Sequence, residues 1–266
     1  MCIRDRRIDD LLDAAEANNY GRLLFYFGQH YADARNEADD DGNNVLHRAA
    51  RGCAKRALKL CLKNGMDPNM YNGLGRTLHL CIGARASTIS TEQRNDVSKY
   101  LADHGAWVEA PDYDGRTPLL AASLEGRAGI CEAMLRRGAD LATRDHEGAT
   151  CLQLATSHDH NATVEFLLGA GAPVDEVGAD GCTPLHESAG RQNVQIARTL
   201  LGAGADVDSA DDDGCTALMY AVAHDDRAMA TLLLEHGASV DARDAQGRTP
   251  LLVAAEAGHA LSLIHI

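Results

Sequence analysis

A chain of 266 residues with 45% apolar but only 4% aromatic side chains can bury a sizeable core built from small residues, as closely stacked helices do. Its 25 Lys and Arg against 39 Asp and Glu leave a net charge of −14, which repels nucleic-acid backbones and anionic membranes and eases the approach of a basic partner. No apolar run reaches membrane-spanning length, and the eight cysteines hold no Cys-x-x-Cys pair or close Cys/His quartet, which argues against a zinc module or disulfide framework and for reduced thiols in cytoplasm or nucleus.

The first and last six residues stand apart. The DNA word ATGTGTATAAGAGACAG encodes Met1 to Asp5 and begins the codon of Arg6; its reverse complement encodes Leu261 to His265 and begins that of Ile266. Residues 1–6 and 261–266 are therefore read as transposase adapter sequence translated in frame and kept out of the fold. Met1 is then no true start, and the lack of a signal peptide carries no weight.

Between them one pattern returns. Asp112-Tyr-Asp-Gly-Arg-Thr-Pro-Leu-Leu120, Gly178-Ala-Asp-Gly-Cys-Thr-Pro-Leu-His186, Asp211-Asp-Asp-Gly-Cys-Thr-Ala-Leu-Met219 and Asp244-Ala-Gln-Gly-Arg-Thr-Pro-Leu-Leu252 are variants of it, and Gly115, Gly148, Gly181, Gly214 and Gly247 fall every 33 residues. Asp-x-x-Gly is turn chemistry, Thr117 and Thr183 can cap a helix, and the proline after them suits the first helical position. Ile130, Met134 and Leu135, like Val164, Leu167 and Leu168, have the spacing of a helix packed on one face. Gly138, Gly171, Gly204 and Gly237, in Arg137-Gly-Ala-Asp140 and its counterparts, are placed to end that helix in a left-handed conformation.

The pattern resembles the ankyrin repeat. The resemblance implies an all-α solenoid of stacked helix-turn-helix pairs with projecting β-hairpin loops, covering nearly everything between the two hexamers. In chain order we expect a capping unit at 8–38, full repeats at 39–71, 72–111, 112–144, 145–177, 178–210 and 211–243, and a broken repeat at 244–260. A repeat lacking its neighbour should fray or expose apolar surface.

The repeat at 72–111 breaks phase: Gly75 to Gly115 spans 40 residues, seven above the period, and Gly75-Arg-Thr-Leu-His79 lacks the proline. The extra residues lie near 85–94. Ser90 and Gln93 have capping-box spacing, so the second helix starts early there or the segment forms a partner-specific protrusion. Trp107, the sole tryptophan, either packs beneath this insertion or serves as an exposed anchor.

Chemistry is sparse. His158, Asp159 and His160 cluster, but no third or fourth metal ligand lies nearby. The resemblance makes His47, His79 and His186 structural hydrogen-bonding residues. Cys151, Cys182 and Cys215 read as thiols without redox function, since stacked repeats hold equivalent positions too far apart for a disulfide. Asn161-Ala-Thr163 matches a glycosylation acceptor, relevant only in a secreted protein. With no phosphate-binding loop, Gly-x-Ser-x-Gly or His-Glu-x-x-His, neither catalysis nor a cofactor is expected.

Ankyrin proteins bind partners through turn tips and the faces of the first helices, and the resemblance carries this to particular residues. At the tips these are Asp40, Asp41, Asn43, Tyr113, Asp114, Arg116, His146, Glu147, Asp180, Asp212, Asp213 and Arg248. Near the helix ends they are Arg51, Leu124, Glu125, Ser157, His158, Arg191 and His224. Acidic residues dominate, so the expected partner is a protein with a basic segment, bound by a monomer, with neither nucleic acid nor membrane involved. A second reading makes the chain the recognition segment of a larger enzyme, ubiquitin-ligase component or channel.

Overall fold

The computed structural model describes residues 3–27, 37–82 and 89–258, with side chains from residue 9 onward. Both terminal hexamers except residues 3–6, positions 28–36 of the capping unit, residues 85–88 of the expected insertion and residues 259–260 lie outside that set.

The helices come in pairs. A first helix of seven residues recurs as α3 (Val45–Arg51), α7 (Pro118–Leu124), α9 (Cys151–Ser157), α11 (Pro184–Gly190), α13 (Ala217–Ala223) and α15 (Pro250–Glu256). Among the described residues each of these except α15 is followed by a second helix: α4 (Lys55–Lys63), α8 (Ala128–Leu135), α10 (Asn161–Gly169), α12 (Val194–Gly202) and α14 (Arg227–Glu235). The capping unit supplies α1 (Ile3–Glu16), which begins five residues before the expected start at 8, and α2, helical over 20–27. The irregular repeat pairs a four-residue α5 (Leu78–Cys81) with a thirteen-residue α6 (Thr91–Asp103).

Two compact units result. The first comprises residues 1–122 and 129–140, with α1, α3 and α5 packed in a row and α4 behind α3. The second comprises residues 123–128 and 141–266, with first helices α9, α11, α13 and α15 in one row and second helices α10, α12 and α14 in another. Helices of seven to nine residues are too short to hold in water alone. What holds them is apolar side chains meeting between neighbours: in the second unit Val164, Leu167, Ile196, Leu200, Met229 and Leu233 are at most 1% exposed. Each side chain of this size contributes about 1.5–3 kcal/mol on burial.

The caps follow the sequence. Thr183 accepts from the backbone N–H of His186, and the proline after it opens α11. Thr150 and Gln153 form a reciprocal box at α9. In the irregular repeat the Gln93 N–H donates to Ser90 Oγ at 3.2 Å while Gln93 Oε1 accepts from the Ser90 N–H at 3.0 Å. The described part of the insertion, 89–94, is thus absorbed by an early start of α6. A glycine two or three residues beyond each second helix takes positive φ, from 78° at Gly65 to 92° at Gly171 and Gly204.

The projecting loops are turns with little strand character. Among the described residues only isolated antiparallel bridges appear, Ala38 with Asn44 and Ala210 with Thr216. One open alternative is decided and one expectation is corrected. Trp107 is 52% exposed, its ring 6.3 Å from that of Tyr71, its backbone N–H donating to Asn69 Oδ1. It leans on the preceding turn and remains at the surface. His79 takes no structural hydrogen bond: losing the proline moves it one residue toward the helix start, about 100° around the axis, into the core position that Leu119 or Leu185 fills elsewhere. It is 4% exposed, and neither ring nitrogen meets a partner among the described residues.

Candidate functional site

The first residue of each turn is consumed by the fold wherever it is polar, which is everywhere but at Gly178. Asp39 Oδ1 accepts from the N–H groups of Asp41 and Asn43, Asp112 Oδ1 from Asp114 and Arg116, and Asp145 Oδ1 from Glu147 and Ala149. Asp211 and Asp244 repeat the pattern, and Asn72 substitutes in the irregular repeat. These side chains close the turn from within and are unavailable to a partner.

Turns of neighbouring repeats are stitched by backbone. The Gly73 N–H donates to Asp41 O at 2.8 Å, that of Asp212 to Asp180 O at 3.2 Å, and that of Ala245 to Asp213 O at 2.8 Å. In the first unit Tyr113 also lies flat on Gly75, whose φ is +68° and whose missing Cβ would stand 2.6 Å from the ring. Gly75→Ala should therefore lift Tyr113 off its seat and destabilise the protein by about 1–2 kcal/mol, the strain of a non-glycine residue in left-handed backbone; an unchanged urea midpoint would rule out that seating.

A polar clasp links three of the repeats to the next, through His47, Gln153 and His186. The Thr183 N–H donates to His186 Nδ1 at 3.1 Å, so the proton sits on Nε2, which donates to Cys215 O at 3.0 Å. Burial holds the His186 pKa below its ordinary value, in keeping with this neutral tautomer. His47 spans to the carbonyls of Met70 and Arg76. Gln153, which the sequence did not single out, does the same work: its Oε1 accepts from the Thr150 N–H while Nε2 donates to Cys182 O at 2.8 Å. Its position three residues after Thr150 was the available signal.

The expected partner residues separate accordingly. In the first unit Asp40, Asp41, Tyr113 and Asp114 are exposed, Tyr113 by 72%. Arg116 is half-buried beside Asp114, 3.5 Å away. Asn43 is buried, its amide donating to Asp39, and Arg51 is buried with its guanidinium 2.7 Å from Glu16, so both leave the partner row. In the second unit Glu125, His146, Glu147, His158, Asp180, Arg191, Asp212, Asp213 and His224 are exposed. Leu124 is half-buried, its carbonyl accepting from His160 Nε2 at 2.9 Å. Arg248 is tied to Asp244 at 2.7 Å and Glu256 at 3.2 Å.

Among the described residues Glu147, Asp180, Asp212 and Asp213 enter no ion pair, which leaves four carboxylates on three consecutive turns of one unit facing water. Beside them Glu187 on α11 has its pKa raised, chiefly by burial. His158 and His160 stack at 6.2 Å, each bonded to a backbone carbonyl, and no group of three or more His, Cys, Asp or Glu suited to a metal occurs among the described residues.

Three comparisons bear on this arrangement. The family model described as ankyrin repeats (3 copies) matches residues 137–211 and 195–264, and a single ankyrin-repeat model matches 114–146, together more than half the chain. The chain is 34% identical to the neurogenic locus notch homolog protein 1 of Danio rerio over 122 residues, 46% of this chain and 5% of that one. To the Xenopus laevis counterpart it is 33% identical over 105 residues, 39% of this chain and 4% of the other. The match thus spans about a twentieth of these relatives' length. The crystal structure of the ankyrin repeat domain of Bcl-3, described as a unique member of the IkappaB protein family, aligns with a TM-score of 0.72 and 25% identity, over 85% of this chain and all of that one.

Proposed function

We propose that this chain, which belongs to the ankyrin-repeat family, works as a protein-protein interaction scaffold that captures a basic segment of its partner on the turn tips of the second unit. The observation that carries the reading is the division of labour within the turns. In the turns of Glu147 and of Asp212 and Asp213 the first aspartate is spent on backbone N–H groups, and in the turn between them Gly178 takes that position; Glu147, Asp180, Asp212 and Asp213 lie exposed beyond it and form an acidic row. Backbone bonds from Asp212 to Asp180 and from Ala245 to Asp213 hold the turns that carry Asp180, Asp212 and Asp213, which lowers the ordering penalty at binding.

The compartment consistent with this role is reducing, cytoplasmic or nuclear: all seven described cysteines are free thiols, and burial pushes Cys61 and Cys81 up to about 12. No helix among the described residues is long and apolar enough to cross a membrane. The relatives named above lend no support to the reading as an arm of an enzyme.

The test uses a synthetic Arg- and Lys-rich peptide and the triple variant Glu147→Lys, Asp180→Lys, Asp213→Lys. Affinity for the intact chain should fall at least about tenfold at low salt, and its salt dependence should flatten. Equal affinity of wild type and variant, with the same salt slope, would refute the acidic row.

A further inference from the structure

The lysines of this acidic chain are not scattered. There are four, of which Lys55, Lys59 and Lys63 lie on α4 and Lys99 on α6. With Arg56, α4 carries four cations in nine residues and no carboxylate. Lys55, Lys59 and Lys63 follow at i, i+4 and i+8, so like charges face one another turn by turn, which weakens a helix. A face meant only for solvation would alternate signs.

The repulsion is offset mostly by aromatic rings. The Arg56 guanidinium lies 4.8 Å from the centroid of Tyr20, and the Lys55 and Lys59 ammonium groups lie 5.7 and 5.5 Å from that of Tyr100. Lys55 also binds Asp96 at 2.5 Å. Rings order cations without neutralising them, and Arg56, Lys59 and Lys63 stay exposed.

Beside this stripe, between α2 and α4 of the first unit, runs a cleft of about 630 Å³. Phe27 and Leu60, each 8% exposed, and the 45% exposed Leu24 give it an apolar wall. The three exposed cations of α4 line its other side, and among the described residues no carboxylate does.

We infer that this cleft docks an acidic amphipathic helix of a protein partner: apolar side chains enter against Leu24, Phe27 and Leu60, and carboxylates one turn apart meet Arg56, Lys59 and Lys63. Charge complementarity and helical spacing select the occupant. A stripe with a 3–4-residue period matches the period of a helix laid along it. A polyphosphate would find no use for the apolar wall and would meet the field of a chain whose net charge is −14. The surface is distinct from the acidic tips and opposite in sign.

The experiment uses the full chain and a fluorescent synthetic peptide of about 14 residues, four helical turns, with leucines on one face and glutamates flanking it. Anisotropy should show saturable binding that weakens with salt and drops at least tenfold for Arg56→Glu, Lys59→Glu, Lys63→Glu. The tip variant Glu147→Lys, Asp180→Lys, Asp213→Lys should bind it as wild type does, which separates this site from the acidic row. Should the α4 variant fold poorly, amine acylation of the wild-type chain decides: the peptide should protect Lys59 and Lys63 and leave Lys99, outside the cleft, reactive. Absence of binding, equal binding of a composition-matched scramble, equal acylation of Lys59, Lys63 and Lys99, or tighter binding of a single-stranded oligonucleotide or of anionic phosphatidylserine vesicles would each overturn the proposal.

Discussion

His79→Leu is expected to stabilise the protein, and to do so most strongly in acid. The imidazole is buried with no partner for either nitrogen among the described residues, and burial pushes its pKa from 6.5 down to about 4. An unsatisfied buried polar group costs about 1–3 kcal/mol, and leucine, which the equivalent positions Leu119 and Leu185 carry, removes that cost at neutral pH. The pH dependence has a definite sign. Because the folded pKa lies below the unfolded one, the unfolded chain binds the extra proton between about pH 6.5 and 4, and stability falls as pH drops through that window. At about 1.36 kcal/mol per pKa unit the loss from this residue approaches 3 kcal/mol. Urea titrations of both proteins at pH 7.5 and 4.5 check this. The gap between them should widen in acid, since the other titrating groups are common to both; parallel profiles would contradict the burial of a lone imidazole. The buried His47 and His186, with pKa values also lowered by burial, give the variant a residual slope in the same window.

The second large effect is expected at Asp211, where a turn residue reaches beyond its own turn. One carboxylate oxygen accepts from the Asp213 and Cys215 N–H groups at 3.0 and 2.8 Å, and the other accepts from the Tyr220 hydroxyl at 2.8 Å. Tyr220 in turn stands edge-on to His186, ring centroids 5.7 Å apart, and its hydroxyl lies 3.6 Å from Cys182 Sγ. The carboxylate thus joins one turn to the histidine clasp of the preceding repeat. Asp211→Ala removes three bonds to a charged acceptor and should cost about 3 kcal/mol, less than their sum because they share one group. Tyr220→Phe removes one of them and should cost about 1 kcal/mol. Thermal unfolding of the pair and the double variant measures the coupling; additive losses would show that the tyrosine bond is independent of the turn.

Much of this was readable from residue order. The 33-residue spacing of Gly115 through Gly247, the threonine caps and the glycines closing each second helix are local in origin, set by φ preferences and by hydrogen bonds spanning two to four residues. The early start of α6 was legible for the same reason, since Ser90 and Gln93 satisfy each other three residues apart. The spending of the aspartate that opens a turn, at Asp112, Asp145, Asp211 and Asp244, was likewise foreseeable.

What could not be read is where a side chain points once neighbours stack. His79 and His186 look alike in sequence, yet one missing proline turns the first into the core. Asn43 and Arg51 were assigned to a partner face and are buried, Arg51 because Glu16 lies opposite it, 35 positions earlier in the chain. Residue order leaves Trp107 either packed beneath the insertion or exposed, and the structure has it exposed and leaning on Tyr71. The cationic stripe was present in the sequence of α4, but only packing set Tyr20 and Tyr100 on either side of it and opened a cleft along it. The sequence by itself determined the repeat, its turns and its caps, because these depend on contacts within a few residues. The tertiary structure alone decided which polar groups are consumed and which face a partner, because that depends on what the next repeat places against them.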